Sequence, residues 1–242
     1  MSPGPPPDLP ADSRTDLPAD LPADREVRPA VGHPVLPRRD PAARARLRAV
    51  AARSAPVVLA RDRVLRVEGP VGAALPGHGL TRGATVAIDG PIGGGVTSVA
   101  AALLAAATGA GEWAAVVDPD ASFGAVAAHE AGVALERCAV VRPVPPDRWG
   151  AVVAALLDGV ALVVAVVPTA VSVGDTRRLV ARARERATVL VACGRWPTEA
   201  AVRLHARGGP WPGLGAGHGR LEPRPLTVAV ETKAARTIAR VG

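Results

Sequence analysis

Tyrosine is absent and phenylalanine occurs once in 242 residues, so alanine and valine must build the core in place of aromatic rings. Lysine is nearly absent as well: Lys233 stands alone, and arginine carries the rest of a formal net charge of +7. That balance makes nucleic acid or acidic proteins reasonable partners. Only two cysteines occur, Cys138 and Cys193, each in an apolar run read as a separate strand. Reduced thiols in the cytoplasm suit this pattern better than a disulfide scaffold. His33, His78, His129, His205 and His218 are dispersed, and none pairs with another ligand at a metal spacing. The start is acidic and proline-rich, without the basic residues and apolar run of a secretory signal. The almost wholly apolar stretch Ala151–Val173 is divided by Asp158-Gly159 and by Pro168, so it reads as a core helix and strand rather than a membrane span.

The chain is organised around Gly90-Pro91-Ile92-Gly93-Gly94-Gly95-Val96-Thr97-Ser98. An apolar run, Thr85–Asp89, precedes it and an alanine-rich segment, Val99–Ala107, follows, which puts it where a strand turns into a helix. The spacing is that of a phosphate-binding loop, in which glycines let backbone N–H groups curl round a phosphate and a hydroxyl reaches magnesium. Gly90 and Gly95 stand at the fixed glycine places and Thr97 at the hydroxyl place, whereas Val96 occupies the place of the lysine. Valine cannot neutralise phosphate charge. A glycine-rich strand-to-helix turn with no ligand fits the nonapeptide too.

Strands and helices alternate beyond the loop. Strands are expected at Trp113–Val117, Cys138–Val141, Ala161–Val167 and Thr188–Cys193, and helices at Phe123–Gly132, Asp147–Leu157 and Ser172–Ala187. Continuous apolar strands in such alternation predict an α/β fold, a mostly parallel sheet with helices on both faces. Residues 1–37 repeat Asp-Leu-Pro-Ala-Asp and form a proline-rich tail expected to be disordered. Residues 38–63 hold a basic helix opening at Asp40-Pro41 and running to about Arg53, and a linker. The core is expected over 64–194, with 64–83 mostly connection. Residues 195–242 read as a Gly/Pro-rich loop, an edge strand at Leu226–Glu231 and a basic tail with Lys233, Arg236 and Arg240.

The order of these residues resembles the bacterial recombinase RecA. The likeness lies in Gly79-Leu80 before Gly83, Gly90-Pro91 opening the loop, Val117-Asp118-Pro119-Asp120, His129-Glu130-Ala131-Gly132-Val133 and Val141-Arg142-Pro143, and covers residues 65–195. The resemblance implies a RecA-like sheet and places Gly90, Gly93, Gly94, Gly95, Thr97 and Ser98 at vestigial nucleotide-binding positions. Asp120 falls where RecA has the carboxylate thought to activate water; good turn chemistry in Asp118-Pro119-Asp120 explains it equally. Ala165 falls where an aspartate should hold magnesium. With that aspartate and the lysine both missing, phosphoryl transfer, which depends on electrostatic positioning, is not expected.

A compact RecA-like domain with a degenerate loop and shortened DNA loops resembles the ImuA and actinobacterial ImuA-prime group. That resemblance implies a non-catalytic adaptor in SOS-induced translesion DNA synthesis, with no cofactor. Its implied partners are an ImuB-like Y-family polymerase homologue and, indirectly, an error-prone C-family DNA polymerase. Contact residues are expected among Arg177, Arg178, Arg182, Trp196, Trp211, Lys233 and Arg236, although Trp196 serves equally well as a core residue. Two other readings stay open. One is a nucleotide-binding protein or weak ATPase using ATP and magnesium and acting on RecA or single-stranded DNA; the other is a DNA-binding regulator or cell-division inhibitor.

Overall fold

The computed structural model describes residues 63–213, 218–220, 222 and 224–241, all within the compact unit Pro56–Gly242. The expected N-terminal tail and the helix from Asp40 to Arg53 lie outside the described residues. Ten strands and five α-helices follow in order: β1 (Val64–Arg66), α1 (Gly69–Ala74), β2 (Gly79–Thr81), β3 (Thr85–Asp89), α2 (Val96–Gly109), β4 (Ala114–Val117), α3 (Ala125–Glu130) and β5 (Cys138–Val141). Then come α4 (Pro146–Leu156), β6 (Leu162–Val166), α5 (Val173–Arg186), β7 (Val189–Cys193), β8 (Val202–Gly208), β9 (Leu226–Thr232) and β10 (Arg236–Val241).

Eight strands form one sheet in the order β10-β9-β8-β3-β7-β6-β4-β5. The six from β3 to β8 run parallel, β9 returns antiparallel to β8, and β10 is antiparallel to β9. The expected α/β class and mostly parallel sheet are therefore present. Thr85–Asp89 forms the strand anticipated from sequence, and its central place follows from composition: Val86, Ala87 and Ile88 are all buried, as a strand covered on both faces requires.

Two apolar clusters lie on opposite faces. The first joins Val86, Ile88, Val116, Val164 and Val191 to Leu103 and Leu104 of α2 and Ala128 of α3. The second joins Ala87, Val117, Val163, Ala165, Leu190 and Ala192 to Trp149 and Val153 of α4 and Leu179 of α5. With so few aromatics, Trp149 is the largest fully buried side chain, and its indole N–H donates to the Val166 carbonyl at 2.9 Å. Helix α5 starts where expected: Ser172 Oγ accepts from the Asp175 N–H at 3.0 Å and donates to its carboxylate at 2.7 Å, a reciprocal N-terminal cap.

Three expectations need correction. Residues 64–83 are not mostly connection: β1 and β2 pair antiparallel with Leu65 opposite Leu80, both buried, and α1 lies between them in sequence. Elements of three to six residues are too short to show a period. The strand–helix rhythm does not end at Gly194, since β8 pairs parallel with β3 through Val86–Val202 and Ile88–Leu204. Only one face of β8 is buried, so it alternates, with Val202, Leu204 and Ala206 inward and Arg203, His205 and Arg207 outward. Finally, Leu226–Glu231 is not at the edge, because β10 lies outside it and carries Arg236 and Arg240, and Lys233 sits in the turn between the two strands.

Candidate functional site

The glycine-rich loop leaves the carboxyl end of β3, between the parallel neighbours β7 and β8, the usual ligand-binding edge of an open α/β sheet. Its glycines have separate reasons. Gly95 caps α2 in the left-handed region at φ 98°, and Gly90 packs so closely on the Ala206 carbonyl of β8 that a Cβ has no room. The Gly94 N–H donates to the Pro91 carbonyl at 2.7 Å, which closes the turn. No side chain caps α2, whose free N–H groups leave a positive helix end beside exposed Thr97 and Ser98. Val96 is half-buried against the first core cluster and adds no charge.

What sequence reasoning missed is what faces this loop. Arg224 donates from its guanidinium to the Gly93 carbonyl, and the same guanidinium stacks on the Trp211 ring with its carbon 4.4 Å from the ring centre. Leu226 covers Gly95 so tightly that a Cβ there would lie 2.5 Å from its Cδ1. Gly93, Gly95, Thr97, Ser98, Trp211 and Arg224 line a cavity of about 530 Å³. The loop thus borders a cavity walled in part by the chain's own Arg224, Trp211 and Leu226. Arg224 carries no sequence signal tying it to a loop 131 positions earlier.

The other expected nucleotide positions are not gathered here. Asp120 is exposed in the turn after β4, and β4 is separated from β3 by β6 and β7, roughly 14 Å of lateral distance at the usual strand spacing. Its neighbour Asp118 is fully buried and structural: it accepts from the N–H groups of Ser122 at 3.0 Å and Phe123 at 2.9 Å and from the Ser122 hydroxyl at 3.1 Å. Ala165 is fully buried in the second cluster, among Ala192, Val117 and α4. A carboxylate at that point would enter apolar core on the side of the sheet away from α2.

The expected contact residues divide. Trp211 is half-exposed, as anticipated, but Trp196 is a buried member of the second core cluster and is corrected from contact to core. On α5, Arg177 and Arg178 are exposed, with Arg178 paired to Asp175 at 3.1 Å. Arg182 and Arg186 both engage Asp158, Arg186 at 3.0 Å. The Arg182 hydrogen bond holds the Asp158 carboxyl below the usual aspartate range, and Asp158 in turn raises Arg182. Internal carboxylates thus compensate much of this helix's positive charge. Lys233 pairs with Glu199 at 3.3 Å and Arg236 with Glu231 at 3.1 Å, all on exposed or half-exposed positions.

Asp89, the residue just before the loop, meets His205 Nδ1 at 2.5 Å, and His205 Nε2 meets Glu231 at 3.2 Å. The alternation of Leu226–Glu231 hinted that Glu231 points away from the core, but only pairing of β3, β8 and β9 makes this cluster. Among the described residues no group of three or more histidine, cysteine, aspartate or glutamate side chains is placed to hold a metal ion, and no helix is long and apolar enough to cross a membrane.

The family model described as the MT3502 N-terminal domain matches residues 73–198, just over half of the chain, which includes the loop and stops before β8. No curated protein matches the chain at a significant level.

Proposed function

The chain belongs to the MT3502 N-terminal domain family, and for this member we propose a RecA-like architecture put to non-catalytic use. In this reading it is an adaptor in SOS-induced translesion DNA synthesis that holds an ImuB-type polymerase-like partner. One observation carries the non-catalytic part: the loop keeps its glycines but faces Arg224 and Leu226 of the same chain, with Val96 in the lysine place. Buried Ala165 in the magnesium-aspartate place supports it. Phosphoryl transfer is driven by cations and metal-holding carboxylates around the phosphates, and both groups are replaced here by apolar side chains. The residue order quoted above supports the RecA-like part, as does the loop's position between a central parallel strand and a helix.

A second reading rests on Arg224 itself. A guanidinium beside Thr97, Ser98 and the N-terminus of α2 can stand in for the lost lysine, which favours nucleotide binding without turnover. Equilibrium binding of labelled magnesium-ATP, run beside phosphate release with and without single-stranded DNA, separates these readings. The adaptor reading expects no turnover in either condition. Binding that disappears in Arg224→Ala establishes the second reading, and DNA-stimulated hydrolysis refutes both.

A further inference from the structure

Helices α4 and α5 cover one face of the sheet over β4, β6 and β7, but their apolar cluster takes no residue from β8, β9 or β10. The inward residues of those three strands all turn to the opposite core, including Leu204, Val228, Val230 and Ala239. Among the described residues their other face is only partly covered: Arg203 donates to the Thr198 carbonyl at 2.8 Å and Ala229 is buried, while Arg207, Arg236, Ile238 and Arg240 are exposed. Strand register arranges it in three cross-strand rows: Arg207–Thr227–Arg240, His205–Ala229–Ile238 and Arg203–Glu231–Arg236.

Half-buried Thr227 and buried Ala229 lie at the bottom of a groove along β9 between the longer side chains of β8 and β10. Those two strands stand about 10 Å apart, close to the diameter of an α-helix. The charge along the groove is uneven. In the third row Glu231 engages both Arg236 and His205, and Asp89 also reaches His205. In the first row Arg207 and Arg240 flank a neutral threonine and have no carboxylate partner among the described residues. Between them lies an apolar step, Ala229 beside Ile238, which is 62% exposed.

We propose that this face docks an acidic amphipathic helix of a partner protein. A carboxylate sits over Arg207 and Arg240, and an apolar side chain one turn along sits against exposed Ile238. Successive rows are about 6.7 Å apart and residues i and i+4 of a helix rise about 6 Å, so the two periods match. Nucleic acid fits this face worse. Asp89 and Glu231 repel a phosphate backbone laid along it, and no aromatic ring on it offers a stacking surface for bases. The inference rests on the adaptor reading for the partner being a protein, and it adds the surface and the chemistry that meets it.

The test uses the full chain, nitrogen-15 labelled, and a blocked peptide about 18 residues long, enough to hold a helix in isolation. The peptide carries glutamate at i and leucine at i+4, with a lysine-for-glutamate version as control. The expected result is shift changes on β8–β10 with the acidic peptide alone. Ile238→Asp and the double variant Arg207→Glu, Arg240→Glu should each weaken binding at least about tenfold, as loss of an interface anchor does, while Arg148→Glu, at an exposed position on α4, leaves it unchanged. No shift changes on these strands, or equal binding of the lysine peptide, overturns the proposal. So does a labelled oligonucleotide that displaces the peptide through the same arginines, or self-association that Ile238→Asp abolishes. ATP turnover would refute the adaptor reading and leave the peptide result standing, so the two failures are separable.

Discussion

Placing a lysine where a phosphate-binding loop carries one, by Val96→Lys, should produce a folded protein that still does not hydrolyse ATP. Val96 is half-buried against the first core cluster, so the exchange gives up about 1 kcal/mol, half of what a fully buried valine contributes. The new cation lies in the first turn of α2, against the positive helix end, at a further cost of about 0.3–1 kcal/mol. Better helix propensity returns about 0.3 kcal/mol. The net loss is about 1–2 kcal/mol, or about 2–8 °C in Tm for a domain of this size, readable by circular dichroism. One electrostatic donor contributes about 2.7–4 kcal/mol to a transition state, so on the proposed RecA-like reading the added lysine still leaves a deficit of about 10²–10³ for a metal-holding carboxylate where Ala165 stands. Adding Ala165→Asp does not help, because a carboxylate in that apolar cluster lacks a partner and costs several kcal/mol of stability. Phosphate release from Val96→Lys should match the buffer control. Turnover well above it would refute the argument that this loop and its surroundings lack the groups that hydrolysis needs.

Two further outcomes follow from buried groups away from the loop. Thr188→Val removes the hydroxyl that spans the Leu157 carbonyl at 2.9 Å and the Val160 carbonyl at 3.0 Å, and should cost about 1–3 kcal/mol in urea unfolding with an unchanged m value; a loss near zero would mean water replaces the hydroxyl. Burial pushes the Cys193 thiol up to about 12, so alkylation of the native chain at pH 8 should be far slower at Cys193 than at half-buried Cys138. The sign for stability follows: the neutral thiol favours the fold fully below its unfolded value near 9.0, and this contribution falls as pH rises and is gone by about 12. Equal alkylation rates, or stability flat from pH 8 to 11, would refute it.

Much of the parallel core was legible because strands buried on both faces are continuously apolar. Thr85–Asp89 coincides with β3, and the expected runs Trp113–Val117, Ala161–Val167 and Thr188–Cys193 each contain a buried strand, whereas Cys138–Val141 is the half-exposed edge strand β5. Strand β8 escaped notice because half of it faces solvent, so Arg203, His205 and Arg207 broke the apolar run. The glycine places in the loop were also legible, since close approach and a left-handed backbone leave a mark on residue choice. Trp196 was not: a tryptophan beside arginine and proline has the same letters whether it fills a core or meets a partner, and only burial separates the two.

From residue order alone came the α/β alternation, the strand–loop–helix around Gly90–Ser98 and the absence of a lysine from its place. These are local properties, set by periodicity and backbone freedom over a few residues. Tertiary structure decided that β8 joins β3, that Arg224 and Leu226 pack against the loop, and that exposed Arg207, Ile238 and Arg240 share one face of the sheet. The first two join residues more than 100 positions apart, and which distant side chains meet is set by how the sheet and its two cores pack.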